Sequence, residues 1–468
     1  MKKIASIILA AGLGKRMRST LPKVLHRVCG RPMLFYPLDA LMALKVETRV
    51  VVIGHGGDLV KAAFEGCPID FVIQEEQLGT GHAVRCAEEA LGGFSGDILI
   101  LSGDVPLIQP GILKALIGSH RRAKAHLSLV TMFLDEPTGY GRVVRDGSGA
   151  VERVVEEKDA TTEERQIREV NAGIYMVDAE FLFTHLKRVK SSNAQGEYYL
   201  PDLVPMAVGD GGTVVGLCHN SPREVMGVNN RVELAEANEV MRARINRGHM
   251  MKGITMVDPR AVYIDYGVKV GRDTTIYPNV FIEGDSSIGR ECRIEEGSKI
   301  VDSTLARGVT VKSNSLIEQS KVGSEAVIGP LAHLRPGSAI AARAKVGNFV
   351  EIKNSNVGAG SKVSHLSYIG DTDLGKGVNV GAGTITCNYD GHSKFRTIIR
   401  DGAFIGSDSQ LVAPVTVGKG AYIGSGSTIT KDVPPRSLAL SRTGQKNIEG
   451  WVEKRADKTV KKDKSQDG

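Results

Sequence analysis

Aromatic side chains and long apolar runs are scarce in this sequence, and both shortages narrow the class of protein. Phe, Trp and Tyr make up 5% of the 468 residues, with a single Trp. No stretch approaches the roughly 18 consecutive apolar residues that a membrane-spanning helix needs. Hydrophobic residues at 41% and charged residues at 24% are close to globular averages. A disordered, collagen-like or multi-span membrane chain is therefore excluded, and the 55 glycines predict many tight turns.

Closely spaced cysteines are also absent. The six cysteines lie 19 or more residues apart, without a Cys-x-x-Cys pair, so the sequence predicts neither a zinc site nor a disulfide framework. The net charge of +7 is small for this length, and the most basic run, 454–464, also holds acidic residues. We expect a protein of the reducing cytosol that binds neither nucleic acid nor membrane.

The start of the chain permits two interpretations. Lys2 and Lys3 precede the apolar segment 4–12, a pattern shared by short signal peptides and by a buried strand that runs into a glycine turn. Basic residues return at once, at Lys15 and Arg16, and this favours the strand.

The pattern of the chain changes near residue 230, as expected for a length that suggests roughly two to four domains. Before that point short apolar runs alternate with helical stretches, which predicts an α/β Rossmann-like domain over 1–231 with a mostly parallel, doubly wound sheet. Residues 232–252 read as a linking helix that is acidic first and basic last. The charged tail 453–468 lacks apolar periodicity, so we expect it to be disordered.

An internal repeat fills residues 253–452. Apolar residues recur at every sixth position from Ile264, and the phase is recovered repeatedly up to Ile429. A period of six does not fit a helix and is typical of hexapeptide β-helices, in which apolar residues stack inside a prism of about 18 residues per coil. The longest break in the period contains the polar and aromatic segment Thr384–Arg396, and we expect a functional loop that leaves the prism there.

A glycine turn with basic residues follows the first predicted strand. The segment Leu9–Met17 reads Leu-Ala-Ala-Gly-Leu-Gly-Lys-Arg-Met, and Pro22-Lys23 comes next. Backbone amides of such a turn can approach phosphate oxygens, while Arg16 and Lys23 can neutralise their charge. The segment is not a Walker loop, which needs Gly-Lys-Ser/Thr, nor a dinucleotide fingerprint, because the third glycine is missing. If this segment is considered alone, an ordinary turn without a bound phosphate remains an alternative interpretation.

Together with Pro22-Lys23, this segment resembles the phosphate loop of the sugar-phosphate nucleotidyltransferases, and the resemblance extends to residue 231. It implies that Arg16 and Lys23 are catalytic and that Asp104 and Asn229 hold Mg²⁺, a role that suits their hard oxygen ligands. Attack of a sugar phosphate on a nucleoside triphosphate concentrates negative charge, so cations and a metal are what this chemistry needs. The positions implied to bind UTP or UDP-N-acetylglucosamine are Leu9, Ala10, Ala11, Gly12, Lys23, Gln74, Gly79, Thr80, Ser102, Gly103, Asp104, Gly141, Glu156, Asn171 and Asn229.

The repeat domain on its own could be only an oligomerisation platform. Reactive side chains at successive repeats point to chemistry instead, namely Arg335, Lys353, His365 and Tyr368. With these, the chain from Leu9 to about Trp451 resembles the bifunctional N-acetylglucosamine-1-phosphate uridyltransferase and glucosamine-1-phosphate acetyltransferase family. The resemblance implies a left-handed parallel β-helix for the repeats and a homotrimer, which suits the flat faces of a prism.

The same resemblance assigns roles in the second domain. His365 is implied to be the general base that takes a proton from the sugar amine, a role that suits the pKa of histidine. The positions implied to hold the sugar phosphate are Arg335, Lys353, Tyr368 and Asn379. Those implied to bind acetyl-CoA are Ala382, Asn388, Tyr389, Ser407, Ser425 and Arg442.

The function expected from the sequence is therefore a two-step synthesis. Glucosamine 1-phosphate is N-acetylated with acetyl-CoA as co-substrate, and the product reacts with UTP in the presence of Mg²⁺ to give UDP-N-acetylglucosamine and pyrophosphate. This product would supply peptidoglycan and lipopolysaccharide synthesis. Two alternatives stay open at this point: a single-activity nucleotidyltransferase with a structural β-helix, and a non-catalytic scaffold that binds nucleotide sugars.

Overall fold

The structure is a computed structural model that describes residues 2–455. This part of the chain divides into two compact units. The first ends at His249 and also takes in Tyr263–Gly267, while the second holds Met250–Val262 and the residues from Val268 onward. Of the tail for which disorder is predicted, 453–468, residues 456–468 lie outside the described part.

Strands and helices alternate in the first unit. Its strands are β1 (Lys3–Ala10), β2 (Arg27–Val28), β3 (Arg31–Pro32), β4 (Thr48–Ile53), β5 (Asp70–Ile73), β6 (Gly96–Ser102), β7 (Leu127–Phe133), β8 (Arg142–Arg145), β9 (Val151–Val155), β10 (Glu169–Asp178) and β11 (Val214–Cys218). The α-helices are α1 (Phe35–Ala43), α2 (Gly57–Ala63), α3 (Thr80–Cys86), α4 (Pro110–Ala123), α5 (Ala179–Leu186), α6 (Leu203–Gly209) and α7 (Arg231–Met250).

The main sheet has the order β11-β7-β10-β6-β1-β4-β5, and β8 and β9 extend it beside β10. Neighbouring strands of the main order are parallel except at β10, which runs antiparallel to β6 and β7. The predicted α/β domain with a mostly parallel sheet is confirmed. The apolar segment after Lys2 and Lys3 is the central strand β1, as the strand interpretation expects.

Both faces of this sheet are covered, which explains the nearly continuous apolar runs of its strands. Along β1, Ala5 and Ile7 pack into one buried cluster and Ile8 into the other. Helices α3, α5 and α6 contribute to the first cluster, and α1 and α4 contribute to the second. Within residues 2–455, no helix combines the length and apolar composition that a bilayer crossing requires.

The strands after α7 form three parallel sheets, here called walls A, B and C. Wall A consists of Thr255–Met256, Thr275–Ile276, Arg293–Ile294, Thr310–Val311, Val327–Ile328, Lys345–Asn348, Lys362–His365, Asn379–Val380, Phe404–Ile405, Tyr422–Ile423 and Leu438–Ala439. Wall B consists of Val262–Ile264, Val280–Glu283, Lys299–Val301, Leu316–Glu318, His333–Leu334, Glu351–Lys353, Tyr368–Gly370, Ile385–Cys387, Gln410–Val412 and Thr428–Ile429. Wall C consists of Lys269–Val270, Ser287–Ile288, Thr304–Leu305, Lys321–Val322, Ala339–Ile340, Asn356–Val357, Thr372–Leu374, Thr397–Ile399 and Val415–Val417.

The six-residue period places one apolar residue inside each wall in turn. Ile276 on wall A, Ile282 on wall B and Ile288 on wall C are all buried, and Ile294 begins the next coil on wall A. Equivalent residues of successive coils lie in register across the parallel ladders, as Ile276 does with Ile294. The predicted β-helix of hexapeptide repeats is therefore confirmed.

The turns from wall A to wall B, here called the AB corner, require left-handed backbone. Each successive coil has a residue with positive φ at the equivalent position of this corner, and the coil of Leu331 has a second one, Gly329. The equivalent residues are Asn279, Gly297, Asn314, Leu331, Phe349, Leu366, Gly383, Asp408 and Gly426. Asn, Asp and Gly are the residues that tolerate this conformation, so Leu331, Phe349 and Leu366 stand out.

The predicted loop Thr384–Arg396 is shorter in the structure. Ile385–Cys387 forms a strand of wall B, paired in parallel with Gln410–Val412. Thr386 is fully buried at the inward position, and its hydroxyl accepts a hydrogen bond from the Gly370 amide. A polar but β-branched residue therefore takes the place of an apolar one, which hid this repeat in the sequence, and the excursion begins only at Asn388.

Candidate active sites

A cavity of about 500 Å³ lies at the edge of the main sheet where β1 and β6 end. The sequence-predicted residues in its lining are Leu9, Arg16, Thr80, Ser102, Asp104, Gly141, Glu156, Asn171 and Asn229. The remaining predicted positions of this domain, which the described lining does not include, are Ala10, Ala11, Gly12, Lys23, Gln74, Gly79 and Gly103. The carboxyl ends of parallel strands are the usual ligand-binding edge of such sheets.

Lys23 lies between the two predicted metal ligands. Its ammonium forms a short ion pair with Asp104 and donates a hydrogen bond to Asn229 Oδ1 at 3.1 Å. Asp104 and Asn229 come from distant parts of the chain, and the Val228 amide donates to the Asp104 carbonyl at 2.9 Å to join them. The side-chain oxygens of Asp104 and Asn229 thus both contact the ammonium of Lys23.

The donor chemistry at this point fits Mg²⁺. The ion is commonly held by one or two carboxylates and completes its octahedron with water and substrate phosphate. One carboxylate oxygen and one amide oxygen, from Asp104 and Asn229, are in place here. Among residues 2–455, no group of three or more His, Cys, Asp and Glu side chains forms a closed metal cage.

Glu233 is a functional candidate that the sequence interpretation missed. Its carboxylate accepts the backbone amide of Asn229 at 2.6 Å and also a hydrogen bond from the Asn230 side chain. Asn230 Oδ1 in turn accepts the amides of Val232 and Glu233. This reciprocal arrangement is a variant of the capping box at the start of α7, in which Glu233 accepts the amide of Asn229 instead of that of Asn230, and the spacing Asn-x-x-Glu could have indicated it.

A bulge in β10 directs Asn171 into the cavity. The pairing of β10 with β7 shifts between Asn171 and Tyr175, and Gly173 within the bulge has a φ of +70°. The Gly173 amide donates to Asn171 Oδ1 at 3.0 Å, and the Asn171 amide group donates to the Tyr175 hydroxyl. The side chain is therefore held at both ends by its own strand.

Glu156 lines the same cavity as Asn171, in an environment that disfavours the charged form of its carboxyl group. Burial, reinforced by the carboxylates of Asp159 and Asp202, raises the pKa of Glu156 above its ordinary value. A carboxyl group at this position can accept hydrogen bonds from the hydroxyl groups of a bound ligand. Tyr140 also lines the cavity, and burial raises its pKa to about 12.

Three cations meet on wall B of the β-helix. The neighbouring ammonium of Lys394 is the main cause that lowers the pKa of Lys353, and Arg335 adds to it. Arg335 pairs with Glu351 at 2.7 Å and interacts with Tyr368. Like charges brought together in this way favour a bound anion. Sequence interpretation missed Lys394, although it lies in the segment expected to be functional.

A carboxylate backs this cation cluster. The Asp371 carboxylate, which is largely buried, accepts hydrogen bonds from Asn354 at 2.6 Å and from Asn388. Lys353 and Lys394 both contribute to the lowered pKa of Asp371. Asn388 is thus buried and anchored at the start of the excursion, whereas Tyr389 beside it is 59% exposed. Of the residues predicted to hold the sugar phosphate, Asn379 lies apart from the cluster, on wall A.

The predicted base and several predicted acetyl-CoA positions form one column. Each lies two residues after an inward residue of wall A, and these inward residues are in register through five coils. The column therefore runs, at about 4.8 Å per coil, through Asn348, His365, Ala382, Ser407 and Ser425. Asn348 Oδ1 lies 2.6 Å from His365 Nδ1, and the Arg442 guanidinium donates to the Ser425 carbonyl at 2.8 Å.

Asn348 was not predicted, and it contacts the ring of the predicted base. With the Asn348 oxygen facing the ring, His365 Nδ1 carries the hydrogen, and in the neutral ring this leaves Nε2 unprotonated. His365 is exposed on wall A. A neutral imidazole with an accessible Nε2 is able to take a proton from a substrate.

Comparison with known proteins gives family matches in both units of the chain. Residues 6–163 match the MobA-like NTP transferase domain, 259–338 the GMPPB C-terminal domain, and 396–431 the bacterial transferase hexapeptide (six repeats). Bifunctional protein GlmU of Geotalea daltonii is 51% identical over 452 residues, which cover 96% of this chain and 99% of that protein. Bifunctional protein GlmU of Geobacter metallireducens is 50% identical over 475 residues, with 98% and 100% covered. The chain belongs to the bifunctional GlmU family.

A solved structure, a putative glucose-1-phosphate thymidylyltransferase from Bacillus anthracis, aligns with 51% of this chain and 95% of its own at 20% identity and a TM-score of 0.41. The GlmU relationship, by contrast, covers nearly the whole chain. The walls A, B and C belong to the left-handed β-helix of its hexapeptide repeats.

As a member of the GlmU family, the protein is a bifunctional enzyme of UDP-N-acetylglucosamine synthesis. Its hexapeptide domain transfers the acetyl group of acetyl-CoA to glucosamine 1-phosphate. Its nucleotidyltransferase domain transfers the uridylyl group of UTP to N-acetylglucosamine 1-phosphate and releases pyrophosphate. The alternatives of a structural platform and of a non-catalytic scaffold are therefore wrong.

Proposed function

We propose that uridylyl transfer is carried by residues 1–231 and acetyl transfer by residues 253–452, joined by the linking helix 232–252 and followed by the tail 453–468. The observation that carries the first assignment is the Lys23 ammonium held between Asp104 and Asn229 beside the cavity. The column through His365 carries the second.

Arg16 and Lys23 neutralise the triphosphate during uridylyl transfer. Asp104 and Asn229 hold Mg²⁺, which, when bound, offsets negative charge on the phosphates. The phosphate oxygen of N-acetylglucosamine 1-phosphate attacks the α-phosphorus, and the bond to the bridging oxygen breaks to release pyrophosphate. Positioning and charge stabilisation supply most of the catalysis for such a step, so no protein nucleophile is needed.

The remaining predicted residues of this domain recognise the two substrates. Gly141, Glu156 and Asn171 surround the sugar, consistent with the bulge that fixes Asn171 and the raised pKa of Glu156. Gln74 with Gly79 and Thr80 reads the uracil base. Backbone near the nucleotide is provided by the positions Leu9, Ala10, Ala11, Gly12, Ser102 and Gly103.

Acetyl transfer uses His365 Nε2 as the general base. The amine of glucosamine 1-phosphate attacks the thioester carbonyl, its proton moves to Nε2, and the C–S bond breaks to release the thiolate of coenzyme A. Asn348 is a positioning residue that holds the ring in the required tautomer. Arg335, Lys353 and Tyr368 bind the sugar phosphate, with Lys394 as a further cation and Asn379 on the sugar.

Acetyl-CoA binds along the column that continues from His365. Ala382, Ser407 and Ser425 follow it on successive coils, so an extended ligand lying parallel to the prism axis would pass them in turn. Asn388, Tyr389 and Arg442 flank this path. The thioester end would then lie at His365, which is what the acetyl transfer needs.

The protein acts as a homotrimer in the reducing cytosol. Leu331, Phe349 and Leu366 place exposed apolar side chains on three consecutive turns of the AB corner, 45%, 55% and 61% exposed. Leu366 directly follows His365 in the chain. A second copy that covers them would remove apolar surface from water at the acetyl site. The six cysteines are all free, which suits a reducing compartment.

The experiment follows free thiol and pyrophosphate separately with glucosamine 1-phosphate, acetyl-CoA, UTP and Mg²⁺. Asp104→Ala should lower pyrophosphate release from N-acetylglucosamine 1-phosphate and UTP by at least about a hundredfold and leave thiol release intact. His365→Ala should do the reverse. A variant that lowers both rates equally would contradict the division of the two sites.

A further inference from the structure

Gln74 lies just after β5 and is almost completely buried, with 4% of its surface exposed. Its side-chain nitrogen Nε2 donates to the Gly79 carbonyl at 3.2 Å and lies 3.0 Å from His82 Nδ1. A carbonyl oxygen can only accept a hydrogen bond, so the atom facing Gly79 must be the amide NH₂. The orientation of the carboxamide is therefore determined by its surroundings.

The same geometry defines the tautomer of His82. Because its Nδ1 faces an NH₂ group, Nδ1 must accept, and the hydrogen of the neutral ring is on Nε2, which lies 4.0 Å from Cys86 Sγ. Burial and the Arg85 charge lower the pKa of His82, and both favour this neutral form. The ring is packed against Tyr198, with centroids 6.3 Å apart.

Both amide hydrogens of Gln74 are thus used inside the protein. Oε1 forms no side-chain hydrogen bond within residues 2–455 and is the part of the carboxamide left for a ligand. A carboxamide oxygen accepts from the N3–H of uracil. Cytosine carries a lone pair at N3, so the same oxygen would face another acceptor without a hydrogen between them.

We propose that His82 is a positioning residue that fixes the Gln74 carboxamide with its oxygen toward the base, and that it thereby selects UTP over CTP. The inference rests on the proposed role of Gln74 as the reader of the base. Gly79 alone anchors only one hydrogen of the NH₂ group. The Gly79 carbonyl favours the same orientation, but it holds the group by one hydrogen bond only, so loss of the acceptor at His82 Nδ1 weakens the preference and lets the group turn more often to offer N–H to cytosine N3.

The test is the ratio of kcat/KM for UTP to that for CTP, measured on the full chain with N-acetylglucosamine 1-phosphate and Mg²⁺. His82→Ala should lower this ratio by about tenfold or more, the effect of one mispaired hydrogen bond. His82→Asn should restore it, because Asn Oδ1 can accept near the position of Nδ1. Cys86→Ala removes the neighbour of the other ring nitrogen and should leave the ratio unchanged.

A purely structural role of His82 would lower kcat/KM for both nucleotides and leave their ratio alone. An unchanged ratio in His82→Ala, or a ratio lost in His82→Ala and not restored in His82→Asn, overturns the inference. Acetyl transfer by the same preparations reports the integrity of the other domain, and the unfolding temperature reports the fold of this one.

Gln74→Ala separates the inference from the function on which it rests. If Gln74 reads the base, this variant loses UTP preference whatever His82 does. If Gln74→Ala keeps the full preference for UTP over CTP, Gln74 does not read the base, and the proposed role of His82 is then also wrong. If Gln74→Ala loses the preference while His82→Ala keeps it, only the positioning role of His82 is wrong.

Discussion

Gly14 shows how one residue without a side chain sets the position of a catalytic one. Its φ is +57°, and a Cβ added there would lie 2.8 Å from Cβ of Lys23. Gly14→Ala should therefore displace Lys23 from Asp104 and Asn229, in addition to a backbone strain of roughly 1–2 kcal/mol. We expect kcat/KM for uridylyl transfer to fall at least about tenfold, measured as pyrophosphate release, with acetyl transfer unchanged.

Gly66 offers the matched control for this prediction. It also has positive φ, +78°, but a Cβ added there would have no heavy atom within 4 Å. Gly66→Ala should lose a similar amount of stability, visible as a lower unfolding temperature, and keep uridylyl transfer. Equal losses of activity in the two variants would show that backbone strain, and not the displaced Lys23, is responsible.

Asp202 makes the stability of the first unit depend on pH. Burial and the neighbouring Asp159 raise its pKa to about 6. The folded state then binds the proton more tightly than the unfolded chain, so this contribution is present at low pH and is lost as pH rises through about 4 to 6. Asp202→Asn should raise the unfolding temperature by a few degrees at pH 7.5 and have little effect near pH 4.

Asp210 makes the stability of the first unit depend on pH in the opposite direction to Asp202. Hydrogen bonds from His185 and Arg188 lower its pKa, so its contribution is present above the ordinary pKa of aspartate and is lost as pH falls. Asp210→Asn should therefore lower the unfolding temperature at pH 7.5, where Asp202→Asn raises it. If both variants raise the unfolding temperature at that pH, the assignment of Asp210 is wrong, and if both lower it, the assignment of Asp202 is wrong.

At the scale of an element, the first turn of α7 connects helix capping to metal binding. Glu233 accepts the amide of Asn229, the proposed Mg²⁺ ligand, while capping the helix with Asn230. Groups that orient a metal ligand typically change metal affinity by about 10- to 100-fold when removed. Glu233→Ala should raise the Mg²⁺ concentration needed for half-maximal uridylyl transfer by about that factor and leave acetyl transfer unchanged.

Glu239→Ala is the control on the same helix. It removes the same charge from an exposed position of α7, with no part in the capping box. Its Mg²⁺ dependence should match that of the wild type. If both variants shift the Mg²⁺ requirement equally, the effect is the loss of negative charge near the cavity, and positioning of Asn229 by Glu233 is wrong.

Elements could be predicted from the sequence wherever burial alone decides the residue type. β1 is covered on both faces and the inward residues of the walls are buried, so both leave apolar patterns with periods that identify them. The strand Ile385–Cys387 was missed because Thr386 satisfies its hydroxyl inside the prism and leaves no apolar signal. β10 runs antiparallel, a property of strand direction that composition does not record.

For the molecule as a whole, most residues proposed to bind a ligand directly were recognised from their motifs, although the cation Lys394 was not. Residues that act through another residue were not. Asn348 orients His365 from one coil away, and Lys394 reaches Lys353 from the excursion. The two residues of such a pair are far apart in the sequence, at a spacing that the length of the coil or of the loop determines. The pair can be predicted only when the register of the coils is known.

The AB corner is the surface through which we propose that copies of the chain assemble, next to the proposed acetyl site. Among the described residues from 250 onward, the other non-glycine residues with positive φ are polar, whereas Leu331, Phe349 and Leu366 are apolar and exposed. Such residues cost about 1–2 kcal/mol each in this conformation, and burial against a second copy would offset that cost. Phe349→Asn, which relieves the strain and removes the apolar surface, should dissociate the proposed trimer, as measured by light scattering.

Arg343→Asn is the matched control, because Arg343 also has positive φ but lies at another corner and is exposed and charged. It should keep the mass of three chains and both activities. Phe349→Asn should lose acetyl transfer at low protein concentration and recover part of it as concentration rises, because association restores the site beside His365. Its uridylyl transfer should be unaffected. A trimer that persists in Phe349→Asn with full acetyl transfer would show that the copies meet elsewhere.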